Sequence, residues 1–231
     1  VEHLLSAIAG LGVDNLLVRV SASEIPIMDG SAAPFVALLL NAGFCEQEAA
    51  KKFIKIIRPV RVKLEDKWAE LRPYEGYELN FEIDFDHPAF DKNFQHAQLQ
   101  FSTQNFIEQL STARTFGFLR DIEALRQNNL ALGGSMENAI VIDDANILNA
   151  EGLRFNDEFV RHKILDALGD LHLIGYPILG RFNAYKSGHA LNNLLVREIL
   201  SDENNFEFVT FDDNVTCPIE YLPLNDLVIE G

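Results

Sequence analysis

The 231-residue sequence predicts an α+β fold, a two-domain layered sandwich with mixed β-sheets and paired helices. Segments in which every second residue is apolar, typical of strands, are interleaved with segments whose apolar residues recur every three or four positions, typical of helices. Several strand-like segments also follow one another through tight turns. This order favours mixed sheets over a doubly wound parallel sheet.

The beginning of the chain has two helix patterns and, between them, one strand pattern. The helix patterns are at 1–9 and 31–40, and the strand pattern is at 15–22. Glycines follow both helix patterns, and Asp29-Gly30-Ser31 forms a turn and an N-cap before the second helix.

A charged connector at 46–52 is the predicted domain boundary. Residues 1–49 then form the C-terminal part of a first α+β domain, and residues 50–231 form a second α+β domain. Because the chain opens at Val1 with the helical pattern already under way, we expect a fragment in which the first domain is truncated.

The second domain begins with a β-rich stretch and then alternates strands with helices. The predicted strands are 52–57, 60–64, 68–73, 77–85, 96–101, 139–142, 179–185 and 206–211. The predicted helices are 102–111, a short amphipathic helix with Ile122 and Leu125 inside, 156–174 and 188–200. Ser102 stands at the start of the first of these helices and is a typical N-cap residue.

Composition excludes several classes of protein. The formal net charge is −16, which argues against a nucleic-acid binder because such proteins depend on basic groups that meet phosphates. No apolar run reaches the length of a membrane span, and no signal peptide opens the chain. The two cysteines, Cys45 and Cys217, are too few for a disulfide framework, and we expect reduced thiols in a cytoplasmic protein.

The predicted helix at 156–174 is the most informative segment. His162, Asp166 and Asp170 follow one another in steps of four residues, which places them on one stripe of the helix. The roughly opposite side is apolar, and unpaired polar groups on such a helix would be costly. A histidine and an aspartate four residues apart can bind one metal ion, although a hydrogen-bonded structural histidine is the commoner explanation of this spacing alone.

Two more histidines are candidates for the same site. His3 follows Glu2 on the first helix, and His189 lies in a predicted strand-to-helix turn, where catalytic groups are often exposed. Two histidines and one aspartate would leave one position for water, the pattern of a catalytic zinc site. The alternatives are that His3 is an ordinary residue at a frayed helix end and that His189 has no chemical role.

Five segments together resemble UDP-3-O-acyl-N-acetylglucosamine deacetylase, the bacterial zinc amidase of lipid A biosynthesis. They are Val1-Glu2-His3-Leu4, residues 25–31, residues 113–118, the predicted helix at 156–174 and residues 186–192. The resemblance runs over essentially the whole chain, and five motifs in the right order argue against a chance match. The departure is an N-terminal segment of the family, mostly strands, that is absent before Val1.

The resemblance implies a role for each polar residue of these motifs. It assigns a Zn²⁺ ion, or Fe²⁺ in the cell, to three ligands: His3, His162 and Asp166. The metal would lower the pKa of its bound water and polarise the acetamide carbonyl. Glu2 would be the general base, and Thr115 would donate a hydrogen bond to the oxyanion. His189, kept protonated by Asp170, would protonate the leaving amine.

The resemblance also implies a UDP-linked acylated glucosamine as substrate. An insert at about 118–144 would form an acyl-chain passage lined by Leu119, Ile122, Leu125, Leu130, Ala131 and Ala139. These residues could instead be the core of a small β-α-β unit. Phe85 and Phe118 would pack against the nucleotide or the sugar. The positive charge for the diphosphate would come from Lys67, Lys163 and Lys186.

The resemblance therefore implies a cytoplasmic, monomeric deacetylase that releases acetate at the committed step of lipid A biosynthesis. A second class of function stays open: in a truncated chain, fraying of Glu2 and His3 would leave a non-catalytic ligand-binding remnant. A related amidase, or a bifunctional fusion with a dehydratase, is a third possibility. No second catalytic domain follows Gly231, which speaks against the fusion.

Overall fold

A computed structural model describes residues 1–121, 135–211 and 215–223 of the chain. The helices in these ranges are α1 (Glu2–Gly10), α2 (Ala33–Ala42), α3 (Thr103–Gln109), α4 (Glu158–His172) and α5 (His189–Leu200). The strands are β1 (Lys52–Ile56), β2 (Val60–Leu64), β3 (Lys67–Arg72), β4 (Tyr77–Glu82), β5 (His96–Gln100), β6 (Phe116–Phe118), β7 (Ile140–Ile142), β8 (Ile178–Tyr185) and β9 (Phe206–Thr210). In the described ranges, no helix has both the length and the apolar content needed to cross a bilayer.

Strand β8 is the centre of the larger sheet. It pairs in parallel with β4 and, at its beginning, with β1, and it pairs antiparallel with β3. Three outer strands extend the sheet by antiparallel pairing, with β2 on β3, β5 on β4 and β9 on β1. Because parallel and antiparallel pairs share one sheet, the prediction of mixed sheets is confirmed.

A second, smaller sheet consists of β6 and β7, which pair in parallel with Phe116 opposite Ile140. Parallel strands cannot be joined by a tight hairpin, and the chain between these two, residues 119–139, falls within the predicted insert at about 118–144. Part of this insert, residues 122–134, lies outside the described residues, and so do the predicted passage residues Ile122, Leu125, Leu130 and Ala131.

The helix layer is organised around α4. This helix packs against β4 and β5, while α5 covers β2 and β3 and α1 packs against α4 itself. The apolar side of α4 is fully enclosed: Val160, Ile164, Ala167, Leu168 and Leu171 are all at most 2% exposed. A helix enclosed in this way is a rigid support for the polar stripe that it carries.

Two predicted helix boundaries, at Ser102 and Gly43, are confirmed, whereas the N-cap predicted at Ser31 is wrong. Ser102 accepts a hydrogen bond from the backbone N–H of Asn105 at 3.1 Å and is the N-cap of α3. Gly43, with φ of 78°, ends α2. The N-cap position of α2 is Ala32 rather than Ser31, although the Ser31 hydroxyl still accepts from the N–H of Ala33 at 3.3 Å.

The predicted strand at 15–22 is wrong. No strand in the described part of the chain pairs with this segment, and its apolar side chains are exposed on both faces, for example Leu17 at 77% and Leu16 at 47%. Alternation of apolar residues predicts a strand only where an edge and a covering layer are present to receive it. Neither is present around this segment in the described ranges.

The predicted strand at 77–85 ends early, at Glu82. Beyond it the backbone of Phe85 leaves the ladder and bonds to a side chain. Gln95 accepts from the Phe85 N–H at 2.7 Å and donates to the Phe85 carbonyl at 3.0 Å. A glutamine side chain therefore replaces the neighbouring strand at this position.

Candidate metal centre

Three predicted ligands converge where α1 crosses α4. One nitrogen or oxygen from each of His3, His162 and Asp166 lies within 4.8 Å of the other two, and all three residues are buried. The Nε2 atoms of His162 and His3 lie 3.2 Å and 3.8 Å from the Asp166 Oδ1. The two imidazole rings stand edge to face, with centroids 4.9 Å apart. Two imidazole nitrogens and one carboxylate oxygen thus point into one small space.

The hydrogen bonds around this space are those expected of a cation site. His162 Nδ1 lies 3.0 Å from the carbonyl of Ala113, and because a carbonyl only accepts, Nδ1 carries the hydrogen. In the neutral ring the lone pair is then on Nε2, which faces the Asp166 Oδ1. That oxygen is buried and has no hydrogen-bond partner. Two facing lone-pair atoms at 3.2 Å fit a shared divalent cation between them.

The protonation of the ligands also fits a metal. Burial, together with the nearby His162, lowers the pKa of His3 to about 4, so its imidazole is neutral at physiological pH. Although burial opposes its charge, His162 and Lys163 hold the pKa of Asp166 well below its usual value. Neutral imidazole and ionised carboxylate are the forms that bind metal ions.

The crossing of α1 and α4 depends on Gly169. A Cβ added to this residue would lie 2.1 Å from the carbonyl oxygen of Glu2, a distance that real contacts do not allow. Only glycine therefore lets the backbone of α1 come this close to α4. The close approach carries His3, the next residue of α1, to the stripe on α4.

A second group of polar side chains borders the ligands. Ligand atoms of Glu2, Asp166 and His189 lie within 4.8 Å of one another. His189 Nδ1 lies 2.9 Å from the Asp170 Oδ2, and Asn192 donates to the same oxygen at 2.8 Å. The His189 side chain is 56% exposed, whereas the Asp170 side chain is only 12% exposed. The histidine thus faces solvent while its partner is held inside.

Asp170 sets the charge of His189. Its hydrogen bond stabilises the imidazolium and raises the pKa of His189, although partial burial works in the opposite direction. We expect Asp170→Asn to remove this stabilisation, so that His189 loses its proton at lower pH than in the unaltered protein. The midpoint can be followed by NMR of the imidazole ring protons during a pH titration.

The matched control for this titration is Asp157→Asn. Asp157 immediately precedes the same helix and accepts from Arg161 instead of a histidine. The control should leave the His189 midpoint in place. A midpoint that stays unchanged in Asp170→Asn as well would contradict the assignment of Asp170 as the partner that raises the pKa.

Thr115 is half-buried in a segment that is fixed on both sides. Its N–H donates to the carbonyl of Gly30 at 2.8 Å, and its own carbonyl accepts from Ile140 at 2.8 Å. Gly30 has φ of +84°, and a Cβ there would meet the carbonyl oxygen of Asn138 at 1.9 Å. The turn at 29–31 therefore packs against the Thr115 segment, which also contains the Ala113 carbonyl that orients His162.

The three predicted phosphate-binding lysines lie in different surroundings. Lys163 donates to the Asp166 Oδ2 at 2.7 Å, next to the ligand oxygen. Lys186 donates to Asp66 at 2.7 Å and to Asp84 at 3.4 Å. Lys67 is exposed at the beginning of β3. The first two lysines are thus paired with carboxylates in this structure.

Phe85 and Phe118 belong to one aromatic cluster. Their ring centroids are 6.1 Å apart, and Phe90 stacks on Phe85 at 4.4 Å and on Phe159 of α4 at 4.3 Å. The cluster includes Phe116, whose ring lies 6.4 Å from the ring of His162. Phe85 and Phe118 are half-buried, so each keeps an accessible surface close to the site. Of the predicted passage residues in the described part of the chain, Leu119 is exposed and Ala139 half-buried.

Sequence reasoning missed two contributors to the site. Asn192 is 1% exposed and bridges Asp170 to Ser187, whose hydroxyl donates to it at 2.6 Å. Its position three residues after His189 on α5 places both on one side of the helix, and this spacing was the available signal. The role of the Ala113 carbonyl could not be predicted from the sequence. Every residue has a carbonyl, and only the fold decides which one lies next to His162.

Comparison with known proteins finds a matching family model and relatives of high identity. Residues 1–201 match the family model described as "UDP-3-O-acyl N-acetylglycosamine deacetylase". A UDP-3-O-acyl-N-acetylglucosamine deacetylase of Psychrobacter cryohalolentis is 88% identical over 231 residues, which are 100% of this chain and 72% of the relative. The enzymes of that name from Acinetobacter baumannii and Shewanella frigidimarina are 60% and 58% identical over 96% of this chain, which covers 74% and 72% of them.

Proposed function

The chain belongs to the UDP-3-O-acyl N-acetylglycosamine deacetylase family, and on this premise we propose that it removes the acetyl group of UDP-3-O-acyl-N-acetylglucosamine in lipid A biosynthesis. The reaction breaks the amide bond with water and releases acetate and a free amine. The observation that carries the chemistry is the unpartnered Asp166 Oδ1, buried opposite two imidazole Nε2 atoms.

His3, His162 and Asp166 are the proposed zinc ligands. When bound, zinc would supply Lewis acidity, which makes water acidic near neutral pH and polarises the amide carbonyl. The imidazole–carboxylate set also suits Fe²⁺ in the cell. Before substrate binds, Lys163 donates to the outer Asp166 oxygen and so favours the ionised form of that carboxylate.

Glu2 is the proposed general base. Its carboxylate is half-buried, and it lies within 4.8 Å of the nearest ligand oxygen of Asp166 and of the nearest imidazole nitrogen of His189. From this place it would take a proton from the attacking water as the new C–O bond forms. The Thr115 hydroxyl would donate to the carbonyl oxygen as that oxygen gains negative charge.

His189 is the proposed general acid. Because Nδ1 is held by Asp170, the proton available for transfer is on Nε2. The Asp170 hydrogen bond raises the pKa of His189 and so favours the ring form that carries this proton. His189 would give it to the amine nitrogen as the C–N bond breaks, which completes the hydrolysis without a charged leaving group.

Substrate binding is proposed to use the lysines and the aromatic cluster. Lys67, Lys163 and Lys186 would face the diphosphate, and Lys163 and Lys186 would exchange carboxylate partners for phosphate oxygens. The accessible faces of Phe85 and Phe118 would pack against the nucleotide or sugar. The insert that begins at Phe118 would receive the acyl chain, with Leu119 and Ala139 among its lining residues.

Metal removal tests the proposal. Incubation with dipicolinate should reduce deacetylation of the UDP-linked substrate to background, and stoichiometric zinc should restore it, because the three ligands bind the ion reversibly. Released acetate and bound zinc are measured in the same samples. Full activity in protein whose metal content is shown to be negligible would contradict the proposed mechanism.

A further inference from the structure

The polar stripe of α4 has a fourth member, Glu158, one helical turn before His162. Its side chain is 0% exposed, and its carboxylate accepts four hydrogen bonds. Oε1 accepts from the backbone N–H and the Nε of Arg114, at 3.0 Å and 2.9 Å. Oε2 accepts from Arg114 Nη2 at 3.2 Å and from the backbone N–H of Arg154 at 2.5 Å.

Arg114 is enclosed by the same network. Its side chain is 4% exposed, Nη1 donates to Glu151 at 2.9 Å and Nη2 donates to the carbonyl of Gly152 at 2.7 Å. A buried ion pair is costly unless nearly every polar atom is bonded, and here the geometry meets that condition. Two parallel contacts from a planar guanidinium also fix direction, so Arg114 is held at a defined place along α4.

The position of Arg114 in the chain makes this network relevant to catalysis. The preceding residue, Ala113, supplies the carbonyl that accepts from His162 Nδ1, and the following residue is Thr115. Glu158 and His162 are one turn apart on α4. A closed ring of contacts therefore runs from Glu158 through the backbone of Arg114 and Ala113 to His162 and back along the helix.

We propose that Glu158 is a positioning residue that sets the orientation of the His162 ring and the place of the Thr115 hydroxyl at once. It acts by holding the 113–115 segment against α4 through Arg114. This inference rests on the proposed function, because it uses His162 as a zinc ligand and Thr115 as the oxyanion donor. Outer partners of metal-binding histidines commonly change metal affinity or activity about 10–100-fold when they are lost.

The test compares Glu158→Gln with Glu151→Gln. Both carboxylates pair with Arg114, but Glu151 is 59% exposed and accepts from Nη1, at the outer end of the guanidinium. In Glu158→Gln an amide NH₂ replaces one carboxylate oxygen. Because an NH₂ group cannot accept, the N–H donors that bonded to that oxygen would lose their acceptor. We expect roughly 10–100-fold weaker zinc binding, by competition with a chelating dye, and a similar fall in kcat with KM changed less than about threefold. Glu151→Gln should have the same zinc affinity, kcat and KM as the unaltered protein.

A double variant separates positioning from general loosening. If Glu158 acts through Thr115, Thr115→Ala/Glu158→Gln should lose clearly less kcat than the product of the two single losses, because coupled residues are not additive. Zinc affinity of the double variant should equal that of Glu158→Gln alone. If the loss of kcat in the double variant equals the product of the two single losses, the proposal that Glu158 acts through Thr115 would be overturned.

The remaining outcomes also decide the matter. Zinc affinity and kcat of Glu158→Gln equal to those of Glu151→Gln would overturn the proposal. If Glu158→Gln does not fold, Glu158→Asp, which keeps the charge on a shorter side chain, takes its place with the same expectations. Failure of both to fold would make Glu158 a residue of stability only, and the proposal would fall. Lack of turnover in the unaltered, zinc-loaded protein would count instead against the proposed function.

Discussion

Replacing His162 by alanine is expected to abolish stoichiometric zinc binding and to lower kcat by at least about 10³-fold, since a metal ion contributes several kcal/mol to such a reaction. The variant removes one of the two imidazole nitrogens near the Asp166 Oδ1 and leaves the other, His3 Nε2, at 3.8 Å. The loss in zinc affinity should exceed the roughly 100-fold upper range for an outer partner, because His162 would bind the ion directly. Metal analysis and released acetate measure the two effects.

A matched control for this variant is His96→Ala. His96 is an exposed histidine on β5 whose Nε2 contacts the side chain of Asn80, and it is not one of the three proposed ligands. It should retain zinc and turnover. Zinc content and kcat of His162→Ala at the level of this control would show that the convergence of His3, His162 and Asp166 has another purpose.

The second large loss of kcat is expected for His189→Ala. Unlike His162→Ala, this variant should retain its zinc. Loss of a general acid reduces kcat about 10²–10⁴-fold. Zinc content should stay stoichiometric, because the three proposed ligands do not include His189. The same substitution at two histidines of one site thus separates binding of the ion from delivery of the proton.

The two assays keep this prediction sharp. Released acetate gives kcat, and metal analysis of the same sample shows whether the ligand set is intact. Loss of zinc together with activity would move His189 into the ligand set, for which Glu2 and Asp166 are near enough partners. Unchanged kcat would leave protonation of the amine to another group.

Most elements of the fold could be predicted because their signals are local. Ser102 caps α3 by a hydrogen bond within its own first turn, and Gly43 ends α2 by its own φ angle. The segment at 15–22 failed for the complementary reason. Its alternation is a local signal too, but a strand is stabilised by a partner, and no described strand pairs with it.

The candidate site divides in the same way. The stripe of His162, Asp166 and Asp170 followed from the helical repeat. The same repeat includes Glu158, which the sequence analysis did not single out. The partners of the stripe could not be read from spacing. Ala113 contributes a backbone carbonyl, and Arg114 neutralises Glu158 from a different segment of the chain.

The sequence by itself determined which side chains share a face of α4, because four residues make nearly one turn of any α-helix. The resemblance to a known family added their roles. Only the tertiary structure decided that His3 meets that face, since the meeting needs α1 to cross α4 at Gly169, where a single methyl group would collide with the Glu2 carbonyl. Distances within one helix are set by the backbone repeat, whereas distances between helices are set by how closely their surfaces pack.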